Sequence, residues 1–375
     1  MKRVAILGST GSIGESALDV VRMRPGDYRV VGLVAGSNTR RILEQAREFG
    51  VDHVGLVSPP SLEPAGGRVV TGENAAVEII RHSRPDIVIN GISGARGFIP
   101  SLEAVRSGAA LALANKESLV IGGRFLTEEA RRRDVPILPV DSEHSAVFQC
   151  LQGEDTSSIR RIVLTASGGP FRDRPKETFA SITPQEALDH PTWSMGRRIT
   201  VDSATLMNKA LEMIEACWLF GVDMANIEVT VHPQSIVHSM VEFNDLSIKA
   251  QMGLPDMRTA IAYALSWPHR LELPLRPLSF EEGLRLDFLR PDEKKFPSLS
   301  LARAAMERPL VLPCVMNAAD EVAVEGFLSG RIRFDRIPEI VKKTMDMFTS
   351  FTVETPEDLI SLDANARKAA EALLS

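Results

Sequence analysis

From the N-terminus to about residue 140, short apolar runs (RVAIL, YRVVGLVA, DHVGLV, PDIVIN, ALALA and VPILPV) alternate with segments of helical period. That rhythm predicts βαβ units, in which a parallel sheet is covered by helices on both faces and its strands read as unbroken hydrophobic runs. The pattern then changes. From RRIVLTASGG to about residue 265 the runs IEVTVHP, SIVHSMVEF and SIKAQM stand close together, as antiparallel strands do, beside a helix expected from about 203 to 219. This reads as an α+β domain. Pro268, Pro274, Pro277, Pro291 and Pro297 then space out a stretch expected to be an extended linker. The remainder carries several amphipathic helix patterns. One of them, TPEDLISLDANARKAAEALLS, opens with a threonine cap and an acidic first turn, so a small helical bundle is predicted. These changes place the expected boundaries at 1–141, 142–267, 268–298 and 299–375. The fold class is α/β: a Rossmann-like N-terminal domain, a central α+β domain and a C-terminal helical bundle.

A chain of 375 residues is long enough for two or three domains, and its 44% hydrophobic and 25% charged residues are ordinary globular values. The net charge of −6, from 43 basic and 49 acidic residues, argues against nucleic acid as a partner, and RRR at 131–133 reads as helix surface. The apolar run VAIL ends at Gly8, too short for a signal peptide, and no stretch approaches the roughly 18 residues of a membrane span. A cytoplasmic protein without membrane contact is expected. Cys150, Cys217 and Cys314 are odd in number and widely spaced in apolar sequence, which reads as buried reduced thiols, with a catalytic thiol as the alternative.

The first chemical signal is ILGSTGSIGESALDVV, where Gly8, Gly11 and Gly14 stand between the first strand and the first helix. Glycines there allow a tight turn and close approach to a pyrophosphate, and the helix N-terminus offsets its charge. The spacing is GxxGxxG, and a ligand-free βα turn is the alternative. At the end of the second strand VAGSNTRR has no acid to hold a ribose 2′-hydroxyl. It offers Arg40 and Arg41, which favour a 2′-phosphate and hence NADP over NAD, unless both are solvated helix residues. After the run ALALA, taken as the fifth strand, ANKESLV places Asn115, Lys116 and Glu117 at the carboxyl edge of the sheet, near where a nicotinamide would sit, with an ordinary surface lysine as the alternative.

VDSEHS follows the last apolar run of the first domain with Asp141 and Glu143. If the strand continues, both carboxylates leave one face and repel unless a proton or cation lies between them; an all-oxygen set suits Mg²⁺ or Mn²⁺. An acidic loop facing water is the alternative. VDSATLMNKALEMIEA supplies Asn208, Lys209, Glu212 and Glu215 on a helix with Asp202 or Ser203 as the expected cap; Asn208, Lys209 and Glu212 share one face, for which a solvated helix surface is the alternative. TASGGP offers Ser167 and the N–H groups of Gly168 and Gly169 as a phosphate nest. HPTWSMGRR, with His190, Trp193 and Met195, reads as a mobile flap or as a buried connection. His232 and His238 lack the spacing of a zinc site.

Taken in order, GSTGSIG, ANKESLV, PVDSEHSAVFQ, TASGGPFR, HPTWSMGRRITVDSATLMNKALEMIEA, HPQSIVHSMVEF and PDMRTAIAYALSWP resemble the 1-deoxy-D-xylulose 5-phosphate reductoisomerase family from residue 4 to about 268, and PCVMNAADEVAVEGFL resembles its helical domain. The resemblance implies an NADPH-dependent enzyme of the non-mevalonate isoprenoid pathway. It would rearrange a hydroxy-ketone phosphate by a retro-aldol then aldol route and reduce the resulting branched aldehyde. It further implies a divalent metal, Mn²⁺ or Mg²⁺ with Co²⁺ as a further candidate, on Asp141, Glu143 and Glu212. Ser142 and Lys116 would contact the same substrate, and Ser167, Ser203, Asn208, Lys209 and His190 its phosphate. Trp193 and Met195 would close over the sugar and the nicotinamide. Lys116, Glu143, Glu212 and His190 form the implied catalytic set. Thr10, Gly11, Ser12, Ile13, Gly36, Ser37, Asn38, Asn115, Glu117 and Gly196 would line the NADPH site, and a homodimer is implied. Many family members carry a basic residue where this chain has Ser37, which leaves Arg40 or Arg41 for the 2′-phosphate. A metal-free dehydrogenase of the aspartate-semialdehyde or dihydrodipicolinate reductase kind, or a nucleotide-sensing regulator, would share the first domain. Neither needs the three carboxylates together.

Overall fold

The computed structural model describes residues 1–59, 68–189, 196–281, 283–348 and 350–374. Its strands are β1 Lys2–Leu7, β2 Tyr28–Ala35, β3 His53–Leu56, β4 Arg68–Thr71, β5 Ile87–Asn90, β6 Ala110–Leu113, β7 Ile137–Pro139, β8 Ile159–Ala166, β9 Ile227–Val231, β10 Val237–Phe243 and β11 Ile248–Met252. The helices are α1 Ser12–Met23, α2 Thr39–Phe49, α3 Ala75–Ser83, α4 Phe98–Arg106, α5 Glu117–Arg133, α6 Ser142–Cys150, α7 Pro184–Ala187, α8 Arg197–Ala204, α9 Met207–Phe220, α10 Met257–Ser266, α11 Ser298–Ala305, α12 Leu312–Leu328, α13 Ile337–Met347 and α14 Pro356–Glu371. Among the described residues no helix is long and apolar enough to cross a membrane.

The chain folds as two units. The first comprises Met1–Ser118, Phe125–Ser145 and Asp256–Arg276. Its seven strands are all parallel, in the order β4-β3-β2-β1-β5-β6-β7. The chain winds outward from β1 to β4 and returns to β5 beside β1, which puts the topological switch at β1/β5. In open parallel sheets the loops after the two strands at such a point run apart, and ligands bind between them at the carboxyl edge. The central strands are apolar because they face helices on both sides: Val4 to Leu7, Ile87 to Ile89 and Leu111 to Leu113 are all buried. Each valine, leucine and isoleucine among them contributes about 1.5–3 kcal/mol by leaving water. The strand β4 was not among the expected runs, so ALALA is the sixth strand and not the fifth.

The second unit comprises Leu119–Arg124, Ala146–Pro255 and Pro277–Ser375. Its sheet has the order β11-β10-β8-β9. The expected antiparallel pairing holds for β10 with β8 and with β11, but β8 and β9 are parallel. The sixty residues from Ser167 to Asn226 separate these two strands in sequence and form the long crossover that parallel neighbours require. The helix expected from 203 to 219 is two helices, α8 and α9, broken at Thr205 and Leu206. Leu206 is buried and left-handed (φ 59°). Neither Asp202 nor Ser203 caps α9, since both lie inside α8. The C-terminal helices α11 to α14 close around Phe327, Ile337, Val341 and Leu362, and the Thr355 capping box is present at the start of α14.

Candidate active site

In the first unit, β1 ends at Leu7 and Gly8 turns the chain with φ 78°. A Cβ on Gly8 would lie 2.6 Å from the Gly91 carbonyl oxygen in the loop after β5, so glycine is required for two reasons at once. Gly11 occupies the N-cap of α1 without a side-chain cap. Thr10, Gly11, Ser12 and Ile13 therefore present the start of the helix, with its positive end, at the switch point. Among these, Gly11 and Ser12 are exposed.

After β2, Gly36, Ser37 and Asn38 are exposed, and the Asn38 side chain caps α2 by accepting from the Arg41 N–H. The two arginines part company here. Arg41 donates from Nε and Nη2 to both oxygens of Glu15 on α1, at 2.6 and 2.7 Å, and also pairs with Glu44. The hydrogen bond from Arg41 holds the Glu15 carboxyl below its usual range. Arg40 is exposed on the same turn. A guanidinium forked onto one carboxylate has little left for a second anion, so Arg41 is engaged within the fold. Buried Gln45 completes the contact by donating to the Ser9 carbonyl and to Glu15, each at 2.9 Å.

After β6, Asn115 is buried and donates to the carbonyls of Ile92 and Gly94 and to Glu117, while Glu117 accepts from the Gly94 N–H. These bonds fasten the loop after β5 to the loop after β6. Lys116 is buried beside them with its Nζ 2.6 Å from Asp141 Oδ2. The chain does not continue as a strand through VDSEHS: β7 ends at Pro139 and α6 begins at Ser142. The carboxylates sit at a strand-to-helix switch, where the positive helix end favours negative charge, and helical backbone replaces the strand periodicity expected there. Asp141 and Glu143 still present carboxylate oxygens within 4.8 Å of each other. That separation suits two ligands of one hard ion bound at roughly 2.0–2.6 Å. Ser142 donates to Glu143 at 2.5 Å, and buried His144, which the sequence pattern did not single out, has Nδ1 3.8 Å from Asp141 Oδ2. Its signal was the i, i+3 spacing.

In the second unit, Glu212 is fully buried on α9, with Asn208 donating to Oε1 at 2.6 Å and the Lys209 ammonium bonded to Oε2. The expected amide, ammonium and carboxylate thus meet on one helical face. A buried carboxylate carrying two donors is fixed in orientation and its charge is offset. Ser167 follows β8, and its Oγ accepts from the Gly169 N–H at 3.3 Å. Ser203 lies in α8, and exposed Gly196 is the N-cap of that helix. His190, Trp193 and Met195 lie outside the described residues.

Other titratable groups serve the fold. Cys150, Cys217 and Cys314 are free and buried, and desolvation raises their thiols, Cys150 to about 11 and Cys217 to about 12, out of the nucleophilic range. His232 is fully buried and donates from Nδ1 to the Asp287 carbonyl at 2.8 Å while Nε2 accepts from the Ile236 N–H, so both ring nitrogens are occupied without a metal.

Three family models match this chain. The 1-deoxy-D-xylulose 5-phosphate reductoisomerase model covers residues 4–123, its C-terminal domain model 137–220, and the DXP reductoisomerase C-terminal domain model 252–369. The 1-deoxy-D-xylulose 5-phosphate reductoisomerase of Prosthecochloris aestuarii is 46% identical over 100% of both chains. Among solved structures, the Zymomonas mobilis enzyme in complex with NADPH is 40% identical with a TM-score of 0.91, covering 100% of this chain and 99% of that one. A DOX-P reductoisomerase in complex with NADPH, fosmidomycin and magnesium is 37% identical with a TM-score of 0.94, covering 100% and 98%. Alike in sequence and in backbone from end to end, this chain belongs to the 1-deoxy-D-xylulose 5-phosphate reductoisomerase family.

Proposed function

We propose that this chain catalyses the NADPH-dependent and divalent-metal-dependent rearrangement and reduction of 1-deoxy-D-xylulose 5-phosphate to 2-C-methyl-D-erythritol 4-phosphate in the non-mevalonate isoprenoid pathway. The observation that carries this reading is the likeness, over the whole chain, to a structure holding NADPH, fosmidomycin and magnesium together. Residues 1–141 bind NADPH and contribute Lys116 and Asp141 to the metal and substrate groups, 142–267 carry the rest of those groups and add Gly196 to the cofactor site, 268–298 link, and 299–375 form the helical domain.

Asp141, Glu143 and Glu212 hold the ion, Mg²⁺ or Mn²⁺ with Co²⁺ as a further candidate. When bound, it supplies Lewis-acid polarisation and a template for the substrate oxygens. The protein groups do the rest. Lys116, buried against Asp141, is placed to stabilise oxyanion charge or to move a proton at a substrate oxygen. Ser142 meets the same oxygens. Asn208 and Lys209 fix the Glu212 carboxylate and, with Ser167, Ser203 and His190, receive the phosphate. Trp193 and Met195 close over the sugar and exclude water from the aldehyde. Thr10, Gly11, Ser12, Ile13, Gly36, Ser37, Asn38, Asn115, Glu117 and Gly196 line the cofactor site, and Arg40 takes the 2′-phosphate.

The protein works in the cytoplasm as a homodimer. Supporting the dimer is β11, an edge strand with Ile248 and Met252 exposed, a surface that invites pairing or cover. The test is NADPH oxidation with 1-deoxy-D-xylulose 5-phosphate, with and without a chelator. Activity that is lost on chelation and restored by Mg²⁺ is expected. Activity indifferent to the chelator would remove the metal, and none with this substrate would remove the reaction.

A further inference from the structure

A buried ion network in the second unit serves none of the roles assigned above. Arg198, in α8, pairs through Nη1 with Glu321 Oε1 at 2.8 Å and donates from Nη2 to Asn317 Oδ1 at 2.8 Å; Asp320 Oδ2 and Asp202 Oδ2 each lie 3.4 Å from the guanidinium. Asn317, Asp320 and Glu321 belong to α12. A second guanidinium, Arg367 of α14, binds the other Glu321 oxygen at 2.6 Å and Asp363. Asp320 is fully buried and Asp202 nearly so. Two partly buried cations therefore face four carboxylates, of which Asp202 and Asp320 are out of water, so that removing Arg198 leaves buried charge uncompensated. Surface ion pairs have no such leverage.

The position of this network matters because of its neighbours. Ser203 follows Asp202 directly. A Cβ on Gly169 (φ 68°) would lie 2.6 Å from the Ser203 carbonyl oxygen, so the Ser167–Gly169 turn and the end of α8 pack backbone on backbone. The next carbonyl but one, Thr205, accepts from Ser298 Oγ at 2.8 Å. A small shift of α8 must then change how Ser203 stands against Ser167.

We propose that Arg198 is a positioning residue for substrate phosphate: through Asp202, Asn317, Asp320 and Glu321 it ties the helix bearing Ser203 to C-terminal helices that supply none of the phosphate ligands. This rests on the reading above that Ser167 and Ser203 receive the phosphate. The clamp is sensitive to pH. Asp320 is faced by Arg198 and Asp202 of α8 and by Glu321 of its own helix, with Asp363 and Arg367 of α14 beyond. Burial pushes its carboxyl up to about 6 against the pull of Arg198, and it lies within hydrogen-bonding reach of Asp202. Below that pH Asp320 is protonated and its hold on Arg198 weakens; above it Asp320 is charged and the clamp is complete.

The test uses full-length protein with Mg²⁺. Arg198→Gln should raise the KM for the sugar phosphate at least tenfold, with kcat within threefold and NADPH affinity within twofold of wild type, and Arg198→Lys should recover part of the loss. An unchanged KM, or a loss of all three quantities in step with folded protein, overturns the proposal. Should Arg198→Gln not fold, the isosteric Asp320→Asn decides. Its KM relative to wild type should exceed threefold at pH 8 and approach one at pH 5.5, a ratio from which the titration of the substrate phosphate cancels. A ratio that does not change with pH overturns it. Inorganic phosphate binding, read by calorimetry on the same variants, tests the clamp independently of turnover: weakened binding supports it, unchanged binding removes it. A wild type without sugar-phosphate turnover would refute only the functional reading.

Discussion

The two sheets put their chemistry in different places. In the first, every central strand is covered on both faces, so the groups that can meet a ligand sit in the loops beyond the carboxyl ends: Gly8 to Ile13 after β1, Ser37 to Arg40 after β2, Asn115 to Glu117 after β6, and Asp141 with Glu143 after β7. In the second, the mixed sheet is a wall, and its chemistry lies on the helices of the crossover, with Ser203 on α8 and Asn208, Lys209 and Glu212 on α9. A parallel sheet reuses one edge for many loops, whereas a crossover helix concentrates several groups on one face. The difference is a division: the first architecture spreads polar groups along one edge of a sheet, and the second collects them on the faces of helices.

That division can be broken by substitution. The largest expected effect is Glu212→Gln, which keeps shape and removes a ligand charge. Turnover should fall by about 10³-fold, the equivalent of ~4 kcal/mol of transition-state stabilisation. NADPH affinity, read by fluorescence titration, should stay within twofold; a matching loss of cofactor binding would mean the two regions are not separate. Next comes Gly8→Ala, where a left-handed backbone and the Gly91 carbonyl both oppose a side chain. About 1–3 kcal/mol of stability should be lost, seen as a lower Tm, and NADPH should bind at least tenfold more weakly. Normal cofactor affinity in the folded variant would sever the turn from the cofactor.

A finer test separates the neighbouring arginines. Arg40→Ala should weaken NADPH about tenfold, ~1.4 kcal/mol, and leave NADH unchanged. Arg41→Ala should chiefly lower Tm by releasing Glu15. The reverse outcome in titrations with both nucleotides would return the 2′-phosphate to Arg41. Smallest is Thr355→Ala, which removes the α14 capping box at a cost of about 1 kcal/mol. Denaturant unfolding should register it, while KM values for both ligands stay put.

Much of this division was legible in the chain. The glycine turn, the acidic pair and the α9 triad were each written in adjacent residues, because backbone turns and helical faces are local matters. The misses share a cause. In β4, RVVT offers only two strong apolar positions, too few for a strand signal. Nothing in VDSATLM announces the break at Leu206, which carries neither glycine nor proline and is imposed by packing. Likewise Asp141 and Glu143 looked like a strand ending because VPILPV is apolar to its last residue, whereas the chain switches to helix at once. The pairing of Lys116 with Asp141 and of Arg198 with residues of α12 joins positions 25 and more than a hundred apart. No period or spacing encodes such encounters.

Leu206 carries one more consequence. An L-amino acid in the left-handed region costs about 1–2 kcal/mol that glycine would not, yet its buried side chain is what keeps the bend in place. Glycine would ease the torsion and discard the anchor; any bulkier or polar replacement would keep the torsion and spoil the fit. A substitution at this corner is therefore constrained on both sides, by a torsion that favours glycine and by a burial that favours leucine.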